Sequence, residues 1–588
     1  MTTTGTIPAP ALPAESVPGA APKTTPDSAF DRIALSLSGG GFRAAAYGLG
    51  TLNALHRLGL LDNVHQLSTV SGGTFAGAFY ALRRKQGQDF GTIYADFYAR
   101  LAADTLLPNA LTRWKEAIGI GGRNGKLIRA FADVYDADFF DKGGSGALFG
   151  EFWKANPDPE KPFHIQTLIF NATELYSGLT FRFQYAAFLP DIVNDADEGS
   201  RPGYFIGNGN VHISPDVAKT LRLADVVAAS SCFPGGFEPL VMPDDFLPSD
   251  TPLPVLLNRT GKQLRDERKE PITRLALVDG GIYDNQGIES LLTANRRNRQ
   301  YVASKHPDYA QLRPAEQDLL KPSTMLLIAD VASAGFDLFD APAPGPNRNQ
   351  NRSLLQWGGV WRTAQWVCVA VLVVMLLVLC CQGRGSFGAG LLAGIALMGL
   401  GITLAGQWVW RRIDTFFGEK APDIQPLALP PLLQLSLPQV WYLLKVRVDS
   451  LTSLLFDIFL RRIRSQNYGQ VFSSDDDNEL LKTLLVVPSI LGGIVRDYKR
   501  PHLPVPGKQS VRDELSAVYE TVLRASQMGT TLWWLRDKDR LPLIIASAEI
   551  TLCYRLLLRF EKYPPNEPKG QEIQRRAKLI WQSYQKTN

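Results

Sequence analysis

The sequence predicts an α/β domain with a mainly parallel sheet, and the pattern of its first 340 or so residues supports this fold class. Short apolar runs rich in β-branched residues alternate with longer helical stretches. Glycine-rich turns stand where the first two strands should become helices. Further along, two long uncharged stretches predict a transmembrane helical hairpin, and the remainder is mostly helical.

Length and charge narrow the classes of protein that fit. A chain of 588 residues exceeds one ordinary core, so we expect two or more units or one domain with large insertions. The 62 basic and 57 acidic residues leave a net charge of +5 without a long basic block, which disfavours nucleic acid as a partner. Five cysteines without metal-ligand spacing indicate a reducing compartment and no disulfide framework.

Two strand–turn–helix units open the predicted domain. The apolar run from Ile33 ends at Gly39-Gly40-Gly41, and an alanine-rich helix follows. A second strand, Leu67 to Val70, ends at Ser71-Gly72-Gly73, before another helix. Later strands are predicted at Ile165 to Phe170, Leu179 to Tyr185, Leu275 to Val278, Met325 to Ala329 and Thr483 to Val487.

Changes in composition predict five regions. These are a disordered Pro/Ala-rich tail (1–29), the α/β domain (30–346), a linker (347–363), the transmembrane hairpin (364–410) and a mostly helical C-terminal region (411–588). The tail lacks the continuous apolar core of a secretory signal, which leaves the following domain on the cytosolic side. The C-terminal region either follows the α/β domain or completes it.

The hairpin prediction rests on 18 uncharged residues from Ala364 to Cys381 and 24 from Phe387 to Trp410. At about 1.5 Å per residue, helices of these lengths span roughly 27 and 36 Å, enough for a hydrocarbon core of about 30 Å. Arginines flank both outer ends, so the tip should face out and both flanks the cytosol, in a bacterial inner membrane. Two buried core helices are the alternative.

The stretch Trp441 to Arg464 allows two interpretations. It mixes large apolar residues with Lys445, Arg447 and three further arginines. It could therefore lie on an anionic membrane surface or form an amphipathic helix of the core.

Ser71 is the first candidate for chemistry. A serine in a tight strand-to-helix turn projects its hydroxyl from the sheet edge, although Thr69 replaces the leading glycine of the Gly-x-Ser-x-Gly elbow. The nearby Gly39-Gly40-Gly41 loop could direct backbone N–H groups at a phosphate or at an oxyanion. Neither nucleotide-binding glycine pattern is present, so the phosphate interpretation is disfavoured.

The base for this serine is predicted at Asp279. None of the six histidines lies in a turn that suggests catalysis, whereas an apolar strand delivers Asp279 directly before Gly280-Gly281. The carboxyl end of a strand is where open α/β sheets bind ligands. A carboxylate with an ordinary pKa near 4 is a poor base, so the site must raise its pKa.

Four features together resemble the patatin-like phospholipases, a family of serine acyl hydrolases: the Gly39-Gly40-Gly41-Phe42-Arg43 loop, the Ser71 turn, Ala228 to Leu240 and Asp279-Gly280-Gly281. The stretch Asn171 to Phe183 matches a further family feature, and the resemblance covers roughly residues 30 to 340. It departs from the family at Thr69.

The resemblance implies a three-layer domain and assigns roles to individual residues. Ser71 would be the nucleophile and Asp279 its base, in a Ser-Asp dyad without histidine. The amides of Gly39, Gly40 and Gly41 would form the oxyanion hole, and Arg43 would support the loop. A metal ion or an organic cofactor is not expected.

We therefore expect a membrane-anchored lipid acyl hydrolase that cleaves carboxylic esters through an acyl-enzyme. Phospholipid is the favoured substrate, with lysophospholipid, neutral glyceride and other acyl esters left open. The alternative is a non-catalytic membrane scaffold or lipid receptor built on the same fold. A channel is disfavoured because neither uncharged stretch contains an ionisable pathway.

Overall fold

The computed structural model describes most of the chain, in two compact units. Unit 1 comprises Met1–Phe336 and Phe459–Asn588, and unit 2 comprises Asp337–Ile458. The described residues are 25–117, 125–140, 146–158, 163–187, 206–246, 256–258, 262–266, 268–303, 312–332, 353–382, 394–402, 404–405, 407–408, 411–412, 415, 434–472, 484–500, 510–529 and 539–585.

Among the residues that the structure describes in unit 1, ten strands form one sheet. Their bounds are β1 (Ile33–Leu37), β2 (Val64–Val70), β3 (Thr167–Glu174), β4 (Thr180–Ala186), β5 (Ile206–Gly207), β6 (His212–Ile213), β7 (Leu240–Met242), β8 (Leu275–Asp279), β9 (Met325–Asp330) and β10 (Leu485–Ile490). The main order is β10-β9-β1-β2-β3-β4-β5-β6, and the five strands from β10 to β3 pair in parallel. The α/β prediction with a mainly parallel sheet is confirmed.

The strand that carries Asp279 differs from the parallel arrangement that the sequence suggested. β8 runs antiparallel to β3, and β7 runs antiparallel to β8. β2 pairs with β3 as far as Val70 opposite Asn171, and β8 begins at the next position, with Asp279 opposite Ala172. β2 and β8 therefore meet end to end against β3.

The helices of unit 1 cover both faces of the sheet. They are α1 (Gly41–Leu58), α2 (Gly72–Lys85), α3 (Phe90–Ala103), α4 (Leu106–Ala117), α5 (Leu127–Tyr135), α6 (Pro215–Thr220), α7 (Leu223–Ser231), α8 (Ile288–Ala303) and α9 (Pro314–Leu319), and, after unit 2, α12 (Leu460–Phe472), α13 (Gly493–Lys499), α14 (Ser516–Ser526), α15 (Arg540–Lys562) and α16 (Pro568–Gln585). The helices described in unit 2 include α10 (Leu354–Gln382) and α11 (Leu437–Ser453).

Alternate residues of the central strands enter two separate cores. In β9, Met325 and Leu327 belong to the larger core, whereas Leu326 and Ile328 pack in a smaller one with residues of α8 and α12. Strands that are covered on both faces are apolar along their whole length, and these strands are an example. Unit 1 therefore has helix, sheet and helix layers.

The C-terminal residues after unit 2 contribute directly to this architecture. β10 extends the parallel sheet beside β9. α15 lies against α1 so closely that a Cβ added to Gly50 would be 2.6 Å from the Ile545 carbonyl oxygen. The buried Glu549 carboxylate accepts hydrogen bonds from Asn53, at 2.7 Å, and from Arg57. These contacts attach the chain's last helices to its first.

The described part of the chain begins before the boundary predicted for the tail. A short 3₁₀ helix, Asp27–Phe30, precedes β1, and Phe30 is fully buried. The Asp27 carboxylate accepts backbone N–H bonds from Lys569, at 2.9 Å, and Gly570, at 2.5 Å, at the start of α16. Residues 1–24 lie outside the described residues.

Unit 2 contains parts of both predicted spans. α10 covers the first, and residues 394–402 are helical within the second. Gln407 Nε2 donates to Gln365 Oε1 at 2.8 Å, and a Cβ on Gly399 would be 2.9 Å from Cys368 Sγ. These pairs run in opposite directions along the chain, as in an antiparallel helix pair. The predicted tip, 383–386, lies outside the described residues.

The membrane prediction itself is not confirmed. Among the described residues, one helix, Arg540–Lys562, is long and apolar enough to cross a membrane, and 72% of its apolar window is buried within the protein. This is α15, whose Glu549 is bound to α1, so a core helix accounts for it. The apolar helical segment that overlaps the first predicted span, Arg362–Met375, is shorter than a membrane-spanning helix needs to be.

The stretch Trp441 to Arg464 divides into two parts. A π-helical turn, Leu454–Phe459, separates α11 from α12. In α11, Trp441, Leu444 and Val448 are each more than half exposed. In α12, by contrast, Ile463 and Tyr468 are buried. The core interpretation therefore holds for the end of the stretch, and the beginning presents an exposed apolar face.

Candidate active site

The Gly39 to Gly41 loop and the Ser71 turn lie side by side at one edge of the sheet. β1 and β2 are parallel neighbours, with Leu37 opposite Thr69, so the segments that follow them emerge together. A Cβ added to Gly39 would be 3.2 Å from Ser71 Cβ, and one added to Gly72 would be 2.0 Å from the Gly41 carbonyl oxygen. The two turns can approach this closely because side chains are missing there.

Ser71 adopts a strained backbone conformation, with φ 52° and ψ −122°. Positive φ is uncommon for a residue with a side chain and marks functional turns, including the nucleophile elbow. The surrounding structure holds it: the Ser71 N–H donates to Ser230 Oγ at 3.0 Å, and its carbonyl accepts from Thr74 N at 2.8 Å. The turn therefore has elbow geometry.

Thr69 is accommodated by a glycine on the following helix. A Cβ on Gly77 would be 2.5 Å from the Thr69 methyl carbon, so that methyl occupies the space which Gly77 leaves open. Thr69 Oγ1 also donates to Thr74 Oγ1 at 3.0 Å. The departure from the family pattern is thus compensated by the small face of α2.

Asp279 reaches Ser71 because β2 and β8 meet end to end. The Ser71 hydroxyl lies beside the Asp279 carboxylate and favours its ionised form, and the carboxylate accepts a hydrogen bond from Gly281 N at 2.7 Å. The Asp279 N–H donates to the Cys232 carbonyl at 3.1 Å, and Thr173 Oγ1 donates to the Asp279 carbonyl at 3.0 Å. The backbone of Asp279 is therefore fixed on both sides.

Burial gives Asp279 the proton affinity that a base requires. Its pKa is raised to about 6, mainly by desolvation, and the nearby Ser71 hydroxyl and the hydrogen bond from Gly281 N limit the rise. A carboxylate with this pKa still ionises at neutral pH while accepting a proton more readily than an exposed aspartate. The structure therefore brings together the two residues that the sequence predicted as nucleophile and base.

The three glycines differ in what their N–H groups do. Gly39 N donates to the Asn285 carbonyl oxygen at 2.9 Å, so this amide is not available for an oxyanion. Within the described part of the chain, no acceptor is recorded for the N–H groups of Gly40 and Gly41, whose φ values are 143° and 61°. Of the three amides predicted for the oxyanion hole, those of Gly40 and Gly41 therefore stay available to a ligand.

Arg43 is buried and not solvated at the surface. Its Nη1 donates to the Met528 carbonyl oxygen, beyond the end of α14. Burial lowers the pKa of Arg43 to about 10, and the nearby Arg464 lowers it further while Asp330 opposes the change. Arg43 therefore joins the helix after the glycine loop to the C-terminal part of unit 1.

Two positioning side chains were not predicted from the sequence. Ser230 Oγ accepts from Ser71 N and donates to the Asn171 carbonyl at 2.6 Å. Asn171 Nδ2 donates to Ser68 Oγ and to the Thr69 carbonyl, both at 2.9 Å. Both residues lie in stretches that carried the resemblance, but their contacts depend on how β2, β3 and α7 meet.

Other candidates play no part in the dyad. Burial raises the pKa of the Cys232 thiol, consistent with a packed residue. His65 bonds to Ser323, and His164 to Tyr80. Asp284 accepts three backbone N–H bonds and so stabilises the turn after Asp279. Across the described residues, no group of three or more His, Cys, Asp or Glu side chains could hold a metal ion.

Comparison with known proteins finds a family match over the part of the chain that contains this site. Residues 35–292 match the patatin-like phospholipase family model. Among curated proteins, none matches the sequence. A solved structure of human GIVD cytosolic phospholipase A2 is similar at 14% identity, over 52% of this chain and 44% of its own length, with a TM-score of 0.26. The chain thus spans less than half of the length of that protein.

Proposed function

Residues 35–292 form a patatin-like phospholipase domain, and from this premise we propose that the protein is a membrane-anchored lipid acyl hydrolase. Ser71 is the nucleophile, Asp279 is the general base, and the amides of Gly40 and Gly41 bind the oxyanion. One observation carries the proposal: the strained Ser71 lies beside a buried aspartate, Asp279, whose pKa is raised to about 6.

In the first half of the reaction, Ser71 Oγ attacks the ester carbonyl carbon as its proton moves to the Asp279 carboxylate. The carbonyl π electrons move to the oxygen, where the two amides stabilise the charge. When the intermediate collapses, the C–O bond to the alcohol breaks. The leaving alkoxide takes the proton from Asp279, and the acyl group remains on Ser71.

In the second half, Asp279 removes a proton from water, and the resulting hydroxide attacks the acyl-enzyme. A second oxyanion forms and collapses, Ser71 Oγ recovers the proton, and a fatty acid is released. The buried Asp279 suits both halves because the same desolvation raises its proton affinity each time.

The substrate class follows from the family and from the exposed apolar surface of unit 2. Eighteen of the 24 exposed large apolar side chains in the described residues lie there, which favours a bilayer as their surroundings. The proposed anchor is the hairpin 364–410, with unit 1 on the cytosolic side of a bacterial inner membrane. Tethering would raise the local concentration of phospholipid at the site.

The test compares the full-length protein with Ser71→Ala and Asp279→Asn on mixed phospholipid vesicles, with free fatty acid as the readout. We expect release from the parent protein alone, and labelling of Ser71 by a fluorophosphonate. Release that survives Ser71→Ala would contradict the dyad. No release and no labelling of the parent protein would favour the non-catalytic lipid receptor.

A further inference from the structure

The side-chain amide of Asn285 lies at the site but takes no part in the reaction steps described above. Asn285 is buried, at 5% exposure, in the loop between β8 and α8. One end of its amide group lies 2.4 Å from the position of a Cβ on Gly39 and 2.6 Å from that of a Cβ on Gly281. The Cβ position on Gly39 is 3.2 Å from Ser71 Cβ, and the Cβ position on Gly281 is 2.9 Å from Asp279 Oδ1. This end of the amide thus points toward the dyad.

The chemistry at the other end of the amide decides which atom points at the dyad. Arg464 Nε and Nη2 lie 3.1 and 2.7 Å from that other end. A guanidinium group can only donate hydrogen bonds, so the amide end beside Arg464 is the oxygen. The end beside Ser71 and Asp279 is consequently the NH₂ group, which is a donor.

Arg464 is itself held in place on α12. Its Nε lies 3.4 Å from Oδ1 of the fully buried Asp330. The other oxygen of Asp330 accepts from Tyr468 OH at 3.1 Å and from Gln286 Nε2 at 3.3 Å. The orientation of the Asn285 amide is therefore set by Arg464, which follows the glycine loop by more than 400 positions.

We propose that Asn285 Nδ2 is a third donor to the oxyanion, beside the amides of Gly40 and Gly41, and that Arg464 is the positioning residue which keeps this NH₂ group turned into the site. This inference rests on the proposed acyl hydrolase function. Because the Gly39 N–H is bonded to the Asn285 carbonyl, the same residue removes one backbone donor from the site and supplies a side-chain donor in its place. A neutral donor held before the reaction stabilises the charge that develops on the carbonyl oxygen.

The test measures fatty acid release by the full-length protein, Asn285→Ala and Asn285→Asp at pH 8.5. The aspartate variant retains an oxygen for Arg464 but has no N–H to direct at the site. Each rate is divided by the number of Ser71 sites that a fluorophosphonate labels at saturation, so unfolded protein is not counted. We expect kcat to fall by about 10²- to 10³-fold in both variants, with KM within about twofold.

Two further variants distinguish the loss of a hydrogen-bond donor at the site from a general structural effect of losing a buried amide. Arg464→Lys keeps a positive charge for Asp330 but loses the paired donors, so kcat should fall by about tenfold. Asn295→Ala is the matched control, because Asn295 is buried and its amide donates at 3.0 Å to Gln66, at the other end of β2. Its kcat per labelled site should equal that of the parent protein.

The inference is overturned if kcat per site falls less than tenfold in both Asn285 variants, or if the loss lies in KM alone. These results are distinguishable from failure of the proposed function. If the parent protein neither releases fatty acid nor labels at Ser71, the function fails. If the parent is active and the Asn285 variants equal it, only the role of Asn285 fails.

Discussion

In unit 1 the strands β1 and β9 bury every side chain, whereas in unit 2 Trp366, Val374 and Leu397 are 74%, 56% and 59% exposed. Both units use the same apolar residue types. Unit 1 supplies two helix layers that cover its sheet, but the described part of unit 2 buries a single apolar side chain, Ala396. Apolar composition alone therefore does not make a core, and the exposed apolar side chains in the described part of unit 2 are what the proposed membrane anchor would account for.

The largest expected effect is the loss of catalytic activity in Ser71→Ala, with membrane association unchanged. Removing the nucleophile is expected to lower kcat by about 10⁴-fold or more, because the acyl-enzyme cannot form. Association with membranes should not change, since Ser71 lies in unit 1. The measurements are fatty acid release and sedimentation with carbonate-washed membranes. Loss of membrane association by this variant would show that the two properties are not separable.

The converse variant carries Val373→Asp and Leu397→Asp, one in each predicted span. Each aspartate at the centre of a membrane helix costs about 2.5–3.5 kcal/mol, so the two together should lower the equilibrium constant for membrane insertion by about 10⁴-fold. Hydrolysis of a soluble short-chain ester should stay within about threefold of the parent. Leu579→Asp, at a half-exposed position in unit 1, is the control and should remain bound. Unchanged membrane binding by the double variant would refute the anchor.

The pH profile should report unit 1 alone. Burial raises the pKa of Asp279 to about 6 from its ordinary 3.8, so the ionised base predominates only above that pH. The value of kcat/KM should fall about tenfold for each pH unit below 6 and level off above it. Membrane binding should be constant over the same range. A profile that is flat from pH 4.5 to 8 would exclude Asp279 as the base.

The smallest effect tests packing. Gly77→Ala places a methyl 2.5 Å from the Thr69 methyl carbon and should destabilise unit 1 by about 1–3 kcal/mol in chemical unfolding. Adding Thr69→Ser removes the opposing methyl and should restore stability. Gly401→Ala is the matched substitution in unit 2, where no atom lies within 4 Å of the added Cβ, and it should not destabilise. Equal stability of Gly77→Ala and the parent would contradict the tight elbow.

The sequence predicted the components of the site better than their relations. The glycine loop, the serine turn and the Asp-Gly-Gly turn are local patterns, so their conformational demands can be recognised in a few residues. The antiparallel direction of β8 could not be recognised this way, because apolar runs of five residues look alike in either direction. The roles proposed for Asn285 and Arg464 require contacts between distant parts of the chain, and no spacing rule connects them.

Local chemistry determined by itself where strands turn into helices, which side chains can attack or accept a proton, and where uncharged stretches are long enough for a membrane. Only the tertiary structure decided that β2 and β8 meet at Ser71 and Asp279, that burial raises the Asp279 pKa to about 6, and that Gly39 donates to Asn285. The physical reason is that desolvation and hydrogen-bond pairing depend on neighbours in space, which the fold brings together from β2, β8 and α12.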